Sequence, residues 1–377
     1  MHGLLNLKNP FYVRIDIATA CQLRCPSCPT ATGEIKKNLG TGFMPSAVFS
    51  QLLDANAKIR DVELSNWGEI LLNPELPDIL RYAHSRKLRL HADNGVNLNH
   101  ASDEVLEAMV KYRLYSMTCS IDGSSNETYA TYRKNGNLEN VLQNIRKINA
   151  YKAAYKSRFP LLTWQFIVFA HNQHEISAAR KMAKSLGMHF YLKLSWDDQY
   201  TEAFSPVTDK EHVKKEFGLG VANRQEYEEK YNRSYLQREI CSQLWNSPQL
   251  NWDGRVLGCC VNYWGDFGNA LKEGLPQALS NKSISYARRM LLGEVPAAEG
   301  IPCTTCTHYL KIQQNRQWLT RRFILRNRFY WWVVLHTVGN PKLILNKILQ
   351  IQHIGNVIGS AFSSSSHFAF IRSFRKK

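Results

Sequence analysis

The sequence predicts an α/β protein: a partial (β/α)6 barrel, then a small cysteine-rich auxiliary domain and a basic, helical C-terminal tail. Three observations support this prediction. Short apolar strands alternate with helical patterns from Phe11 to about residue 195, eight of the nine cysteines fall into two groups, and the segment from Thr307 to Lys377 holds no acidic residue. A chain of 377 residues is long enough for one large domain and a smaller one.

Six strands are predicted in the first half of the chain, each a run of apolar and β-branched residues. They cover residues 11–17, 61–65, 88–92, 116–121, 162–168 and 189–194. The spacing of apolar residues predicts helices over residues 46–57, 76–85, 102–111, 138–156 and 175–186. Ser46 and Asn172 are candidate N-caps, and Gly187 is a candidate C-terminal stop. Strands that alternate with helices in this way predict parallel βα units, with the chemistry at the carboxyl ends of the strands.

The rest of the chain divides by composition. We expect the barrel over residues 1–196, a polar linker or active-site cover over 197–240, the auxiliary domain over 241–310 and the tail over 311–377. The first residues lack the apolar core of a signal peptide, and no run of about 20 apolar residues could span a bilayer. Nine cysteines without a secretory signal indicate a reducing compartment, so the expected location is the cytoplasm.

Three cysteines lie close together after the first predicted strand. Cys21, Cys25 and Cys28 have the spacing C-x3-C-x2-C. Three thiolates cannot complete the four-thiolate shell of a [4Fe–4S] cluster, so one iron stays open for a ligand that is not protein. An open position marks a catalytic metal rather than a structural one. The alternative is a zinc knuckle or a set of buried thiols, but a zinc site usually has a second CxxC or a His pair nearby.

This spacing resembles the signature of the radical S-adenosylmethionine (SAM) enzymes. The resemblance implies that the open iron chelates the amino and carboxylate groups of SAM. It also implies that the reduced cluster cleaves SAM to a 5′-deoxyadenosyl radical, which abstracts a hydrogen atom from the substrate. In that family an aromatic residue near the adenine often precedes the last cysteine; here the residue is Ser27, so no such contact is expected from this position.

Short motifs after the second and third strands resemble family elements that bind SAM. Gly68 and Glu69 match a Gly-Gly-Glu element that receives the SAM ammonium, although its first Gly is Trp67 here. Asn94 belongs to an Asp-Asn-Gly run that resembles the family's Thr-Asn-Gly turn. The alternative for both motifs is an ordinary turn, because Gly and Asn tolerate positive φ.

The end of the fourth strand adds two further candidates. By the same resemblance Ser120 lies near the SAM ribose or carboxylate, and Arg133 contacts the carboxylate, which suits the bidentate guanidinium. The alternative is a helix N-cap at Ser124 or Ser125, with Arg133 solvated.

A second group of cysteines resembles the SPASM extension of radical SAM enzymes. A C-x12-G-x4-C element and a later CxxC both match. The four proposed ligands are Cys241, Cys259, Cys303 and Cys306. They would complete the shell of a second, auxiliary [4Fe–4S] cluster. The alternative is zinc in the same four thiolates, because thiolate spacing does not separate the two.

Cys260 is then a spare thiol. It could replace Cys259 as a ligand or simply be buried, as free cysteines usually are. In radical epimerases of this broad family a thiol near the auxiliary domain returns a hydrogen atom to the substrate radical. Cys260, or less readily Cys119, is a candidate for that catalytic role.

The tail is strongly basic. The chain has a formal net charge of +17, and twelve Lys or Arg lie between Thr307 and Lys377. Basic residues over 321–328 followed by aromatic and apolar residues over 329–335 are typical of a bilayer interface. A peripheral contact with the inner face of a membrane is therefore one expectation, and a helix packed on the barrel is the other. A nucleic-acid partner is not expected, because the aromatics cluster instead of interleaving with the charges.

The sequence therefore predicts a radical SAM oxidoreductase or epimerase. The first strand begins near Phe11, which argues against the leader-peptide domain that many peptide-modifying relatives carry. The expected substrate is a small polar or lipid-linked molecule, such as a sugar or aminocyclitol, that is dehydrogenated or epimerised. The expected electron donor is a flavodoxin or ferredoxin. The alternatives are a radical SAM maturase acting on a peptide or protein, and a non-catalytic zinc-binding or membrane-surface protein.

Overall fold

A computed structural model describes residues 10–196 and 204–337, with side chains described as far as Phe329 in the last helix. The predictions for residues 1–9, 197–203 and 338–377 lie outside the described residues. A parallel sheet of seven strands forms the centre of the fold, in the order β6-β5-β4-β3-β2-β1-β7. The strands are β1 Tyr12–Ile15, β2 Asp61–Glu63, β3 Arg89–Val96, β4 Ser116–Ser120, β5 Leu161–Val168, β6 His189–Leu194 and β7 Gln249–Leu250. All six predicted strands are confirmed, and the fold is the predicted α/β arrangement.

Helices connect successive strands and cover the outside of the sheet. Those between β1 and β6 are α1 Pro29–Thr32, α2 Glu34–Leu39, α3 Ser46–Asp54, α4 Leu76–Ser85, α5 Asp103–Lys111, α6 Asn126–Tyr132, α7 Leu138–Ala154 and α8 Ile176–Ser185. Gly187 follows α8 with φ +68°, in the left-handed region where glycine ends helices. The predicted stop is therefore confirmed.

Two predicted N-caps are wrong. Pro45 occupies the cap position of α3, and the Ser46 hydroxyl instead donates to Glu75 Oε2 at 2.6 Å. Asn172 makes no capping bond; its amide donates to the carbonyls of Asp122 at 3.0 Å and Ile167 at 2.8 Å. In both cases the side chain bonds to a residue outside the helix that the local pattern predicted it to cap.

Helices also occur where the sequence predicted a linker, a cysteine-bearing unit and a helical tail. They are α9 Lys210–Phe217, α10 Arg224–Tyr231, α11 Gln237–Cys241, α12 Gln243–Asn246, α13 Ala270–Glu273, α14 Leu275–Ala278, α15 Lys282–Leu291, α16 Thr307–Gln314 and α17 Arg321–Thr337. None of the helices described is long and apolar enough to cross a membrane.

The two faces of the sheet differ in polarity. On β1, Val13 and Ile15 belong to the apolar core under the helices, while Arg14 alternates with them and points to the other face. The buried polar side chains at such alternating positions include Arg14, Asp16, Glu63, Asp93, Thr118 and Gln165. The concave face of the sheet is therefore a polar lumen, in which charged side chains are held apart from the apolar core.

Candidate active site

The first three cysteines lie on a loop at the carboxyl end of β1. Cys21, Cys25 and Cys28 pack in one small cluster with Tyr132 and Phe169. The Cys28 N–H donates to the Cys25 carbonyl at 3.1 Å, and α1 starts at the next residue, Pro29. Pro at the first helical position cannot donate a hydrogen bond and needs no partner for one. The local sequence thus turns all three thiols towards one place.

Burial disfavours the charged form of these thiols. It raises the pKa of Cys21 to about 12 and that of Cys25 to about 11. The charges of neighbouring cysteines add to both pKa values, and for Cys21 the Glu69 carboxylate also does so. The Leu23 N–H donates to the Cys21 sulfur and favours its thiolate. Because iron binds thiolate rather than thiol, metal binding at this loop must release protons.

An aromatic side chain does reach this loop, from α6. The Ser27 hydroxyl and the Tyr132 hydroxyl are 3.0 Å apart, and the rings of Tyr132 and Phe169 are 4.5 Å apart. Sequence reasoning missed Tyr132, although it directly precedes the candidate Arg133. The position before Cys28 is not aromatic, but the fold supplies aromatic rings beside it.

Arg133 bridges the cysteine loop and β4. Its Nε donates to Asp122 Oδ2 at 2.6 Å, and its NH1 donates to the Cys25 sulfur at 3.6 Å. The Arg133 side chain is 12% exposed, so the solvated alternative is wrong, although Ser125 does cap α6. The missed partner is Asp122, whose other carboxylate oxygen accepts from the Ile167 N–H at 2.7 Å.

Glu69 lies close to both Cys21 and Arg133. Its carboxylate accepts from the Asn97 N–H at 2.6 Å and from the Leu71 N–H at 3.1 Å. Burial raises the pKa of Glu69 to about 7, against the effect of these two bonds and of the Arg133 charge. The Asn97 amide also lies 3.7 Å from the Cys21 sulfur. Asn97, which the motifs did not reveal, therefore joins the candidate ammonium site to the cysteine loop.

Gly68 lets two backbone segments meet. A Cβ at this position would overlap with the Ala18 carbonyl and lie 2.8 Å from the Thr19 Cα. The next residue, Glu69, donates its N–H to the Ala20 carbonyl at 2.8 Å. The loop after β2 is thus held against the chain that leads into the cysteines.

Asn94 and Ser120 lie at the same edge of the sheet. The Asn94 amide donates to the Ser65 carbonyl at 2.7 Å, so this side chain ties β3 to the loop after β2. The Ser120 hydroxyl lies where a Cβ on Gly95 would be, and Gly95 has φ +139°. Both features hold the carboxyl ends of β2, β3 and β4 together. The five predicted SAM-contact residues and the three cysteines are therefore gathered at one edge.

The second group of cysteines also comes together, from three separate segments of the chain: Cys241, Cys259, and the turn that carries Cys303 and Cys306. Cys241 ends α11, and burial raises its pKa well above the usual range, with the charges of Cys306, Cys259 and Cys303 raising it further. The Cys306 N–H donates to the Cys303 carbonyl at 3.1 Å, which repeats the turn found at the first CxxC.

Backbone N–H groups point at two of these sulfurs. For Cys259 and for Cys306, the donors are the residues two and three positions further along the chain. Such bonds favour the thiolate, and hydrogen bonds to ligand sulfurs help to set the reduction potential of an iron–sulfur cluster. Within the described ranges, no three His, Cys, Asp or Glu side chains are arranged to hold a single metal ion.

Cys260 lies next to Cys259 and also contacts Gln243 and the loop after β2. Its N–H donates to Gln243 Oε1 at 2.8 Å, and Gln243 Nε2 lies 3.4 Å from its sulfur. The Cys260 carbonyl accepts from the Asn66 amide at 3.0 Å, and Cys260 lies within interaction range of Arg14 in the lumen. Cys119, in contrast, is fully buried in the apolar core.

Comparison with known proteins agrees with this geometry. Residues 15–173 match the model of the Radical SAM superfamily, a range that includes the first cysteine loop and all five SAM-contact candidates. A GTP 3′,8-cyclase from Chlorobaculum tepidum is 27% identical over 147 residues, which is 37% of this chain and 41% of the relative. The alignment thus spans about two fifths of that relative's length.

Solved structures share the fold at low sequence identity. SuiB of Streptococcus suis bound to S-adenosylmethionine has a TM-score of 0.56 at 12% identity, over 81% of this chain and 72% of SuiB. Native anSMEcpe with bound AdoMet has a TM-score of 0.55 at 12% identity, over 90% of this chain and 100% of that one. The family match implies a [4Fe–4S] cluster and SAM as cofactors. The part of this chain that matches the Radical SAM superfamily, residues 15–173, is therefore the part that carries the first cysteine loop.

Proposed function

We propose that this protein is a radical SAM enzyme that abstracts a hydrogen atom from a small polar or lipid-linked substrate in the barrel lumen. The observation that carries the proposal is the grouping of three thiols with a buried carboxylate and a buried guanidinium at one edge of a parallel sheet. A reduced [4Fe–4S] cluster with SAM bound there supplies a 5′-deoxyadenosyl radical. The donor set fits that group, because three soft thiolates and an open position are what such a cluster needs.

Each site residue has a proposed task. Cys21, Cys25 and Cys28 hold the cluster, and Gly68 allows the loop that carries Glu69 to approach them. Glu69 receives the SAM ammonium as a carboxylate. Arg133, Ser120 and Asn94 hold the carboxylate and ribose side of SAM, because all three lie at this edge of the sheet. Arg133 contacts Cys25, and Ser120 and Asn94 lie at the ends of the neighbouring strands β4 and β3.

The polarity of the lumen supports a polar substrate. Arg14 is 8% exposed, and its Nε donates to Gln249 Oε1 at 3.1 Å. Asp16 accepts from Gln249 Nε2 at 2.9 Å, and Asp93 accepts from the Ser116 hydroxyl at 2.8 Å. A ligand in a lumen lined by polar side chains must hydrogen-bond with them to avoid the cost of burying polar groups, so this lumen favours a ligand that carries hydroxyl, amine or carboxylate groups. A flavodoxin or ferredoxin is the proposed one-electron donor.

Cys260 is the proposed hydrogen-atom donor if the reaction is an epimerisation. Its thiol would give a hydrogen atom to the substrate radical, and the resulting thiyl radical would then need one electron and one proton from the external reductant. Cys260 lies beside Arg14 and Asn66, between the second cysteine group and the lumen. In a dehydrogenation the substrate radical would instead lose one electron and one proton. Cys241, Cys259, Cys303 and Cys306 would hold the auxiliary cluster that would serve as the electron acceptor.

A peptide substrate is the second candidate. The fold resembles that of SuiB, which has also been solved bound to the precursor peptide SuiA, with a TM-score of 0.57 at 11% identity. Substrate-dependent turnover with a peptide rather than a polar small molecule would favour this candidate.

Anaerobic reconstitution with iron and sulfide tests the cofactor assignment. We expect a brown protein that binds about eight irons, four for each of two clusters. A colourless protein that retains zinc at both cysteine groups would contradict the proposal.

Replacement of the spare thiol tests its role. Cys260→Ala should leave cleavage of SAM intact and stop hydrogen return to the substrate, and Cys119→Ala is the matched control because that thiol lies in the apolar core. If Cys260→Ala formed the same product with the same uptake of deuterium from heavy water, the proposal that Cys260 donates the hydrogen atom would be contradicted.

A further inference from the structure

One face of α17 is fixed against the body of the protein. Ile324 is buried, and the Asn246 amide donates to Asn327 Oδ1 at 3.2 Å. The guanidinium carbon of Arg328 lies 5.7 Å from the centre of the Phe11 ring. These contacts set the rotation of the helix about its axis, and therefore decide which side chains face outward.

The outward side chains alternate between cationic and apolar. Arg322, Leu325, Arg326 and Phe329 are spaced by three and four residues, so they lie on one face of the helix. All four are exposed, Leu325 by 37% and Phe329 by 57%. We call these four residues the outer face of α17.

Further arginines lie beside this face. Burial, and then the charges of Arg233 and Arg326, lower the pKa of Arg238 in α11, with Glu239 acting in the opposite direction. Arg238 also lies over the Phe323 ring, with its guanidinium carbon 6.0 Å from the ring centre. Like charges held close together repel each other, so they favour an anionic partner.

We propose that the outer face of α17 docks on an anionic lipid surface. Arginines attract the headgroups, and Leu325 and Phe329 enter the boundary between headgroups and acyl chains. The sequence that continues the helix, residues 330–335, is Tyr-Trp-Trp-Val-Val-Leu, and Trp and Tyr favour that boundary. A phosphate backbone of RNA would leave the apolar side chains in water, so the mixture of side chains favours lipid.

Docking by this face is independent of the proposed catalytic function. Phe11, against which Arg328 packs, directly precedes β1, whereas the cysteine loop follows the carboxyl end of that strand. The helix therefore contacts the opposite end of β1 from the candidate active site. Substitutions on the outer face should leave the iron content unchanged.

Vesicle binding by the full-length protein tests the proposal. The probes are vesicles of equal parts phosphatidylglycerol and phosphatidylcholine, and vesicles of phosphatidylcholine alone. We expect the wild type to sediment with the anionic vesicles only. Arg322→Gln with Arg326→Gln should lower the partition constant about 30-fold, since each basic residue near such a surface contributes about 1 kcal/mol. Leu325→Ser with Phe329→Ser should also lower it.

A charge-matched control uses another helix. Lys181→Gln with Lys184→Gln removes two exposed cations from α8 and should leave vesicle binding unchanged. The proposal would be overturned if the control lost as much vesicle binding as the α17 variants, if the wild type bound both kinds of vesicle equally, or if the wild type bound neither. Binding of the wild type to RNA, lost in the α17 variants while vesicles are ignored, would also overturn it and assign the face to nucleic acid.

Discussion

At the residue scale, Arg133 connects the cysteine loop with the strand ends. It is held by Asp122, which is fully buried, and it donates to the Cys25 sulfur. A cation in this place favours the thiolate that iron requires and balances the Asp122 charge. Arg133 therefore serves both the stability of the fold and the proposed cofactor site.

Arg133→Gln should destabilise the metal-free protein by about 3–5 kcal/mol, because it leaves the Asp122 carboxylate buried without its ion pair. Urea unfolding under reducing conditions measures this. Arg24→Gln is the matched control, since Arg24 lies on the same loop and donates only to backbone carbonyls. A loss of stability in Arg24→Gln as large as that in Arg133→Gln would contradict the assignment.

Glu69 should give the metal-free protein a distinctive pH dependence. Its pKa rises from the ordinary 4.5 to about 7 in the folded chain, so the folded state keeps a proton that the unfolded state releases. The free energy of unfolding should therefore fall as pH rises from 4.5 to 7, by about 3 kcal/mol from this group. Glu69→Gln should reduce the fall by this amount and leave the part contributed by Asp16, whose pKa burial raises to about 8, as measured by urea unfolding across this pH range.

Glu75 offers a contrast of opposite sign. Bonds from the Ser46 hydroxyl and N–H lower the pKa of Glu75, so its contribution is present at neutral pH and is lost as pH falls. Glu75→Gln should flatten the acid limb of the stability curve and leave the fall between pH 4.5 and 7 in place. The same response in both variants would contradict the account of Glu69.

The sequence predicted the residues of this site unevenly. Cys21, Cys25 and Cys28 were predictable because their spacing is itself the signal. Asn97 and Tyr132 were not, because each acts through a contact with a residue distant in sequence, Glu69 and Ser27 respectively. No local pattern marks such contacts.

At the element scale, the loop after β2 must approach the chain that leads into the cysteines. Gly68→Ala places a methyl group on the Ala18 carbonyl, and backbone cannot move aside as a flexible side chain can. We expect destabilisation of about 1–3 kcal/mol and loss of iron from the first cysteine group only. Gly187→Ala is the control: it has positive φ but open space around it, so it should cost about 1 kcal/mol and leave the iron content unchanged. Full iron content in Gly68→Ala would contradict the role of this close approach.

Strands and helices with a strong period were predictable, and short elements were not. The period of β5 is visible in Leu162, Trp164 and Phe166, which all enter the core. β7 contains only two residues and forms because it pairs with Arg14 and Ile15 of β1. A strand of that length has no period to detect, so only the tertiary structure reveals it.

At the scale of the whole molecule, the two cysteine groups should work as separate centres. Cys241→Ala is expected to lower the iron content from about eight to about four while SAM cleavage continues. Cys25→Ala should lower it by the same amount and stop SAM cleavage. Iron analysis and product analysis on the same samples check this, and loss of SAM cleavage in Cys241→Ala at full occupancy of the first group would contradict the separation.

The overall architecture was predictable because regular βα alternation extends over half of the chain. The position of Cys260 was not, since it depends on how Gln243 and Asn66 bring the cysteine-rich segment against the barrel. The helices between β6 and the second cysteine group were also missed, because their charged sequences show little apolar period. The alternation of strands and helices along the sequence thus predicts the barrel, whereas the site depends on contacts between segments that are distant in sequence.

The most direct test of the account is the formation of 5′-deoxyadenosine. The reconstituted protein is incubated anaerobically with SAM and dithionite, and the nucleoside is measured beside the Cys25→Ala variant. We predict 5′-deoxyadenosine from the wild type and none from the variant. The claim that this protein cleaves SAM with a cluster on the first cysteine loop would be contradicted by two results. One is no 5′-deoxyadenosine from a wild type with full iron content, and the other is equal amounts from the wild type and the variant.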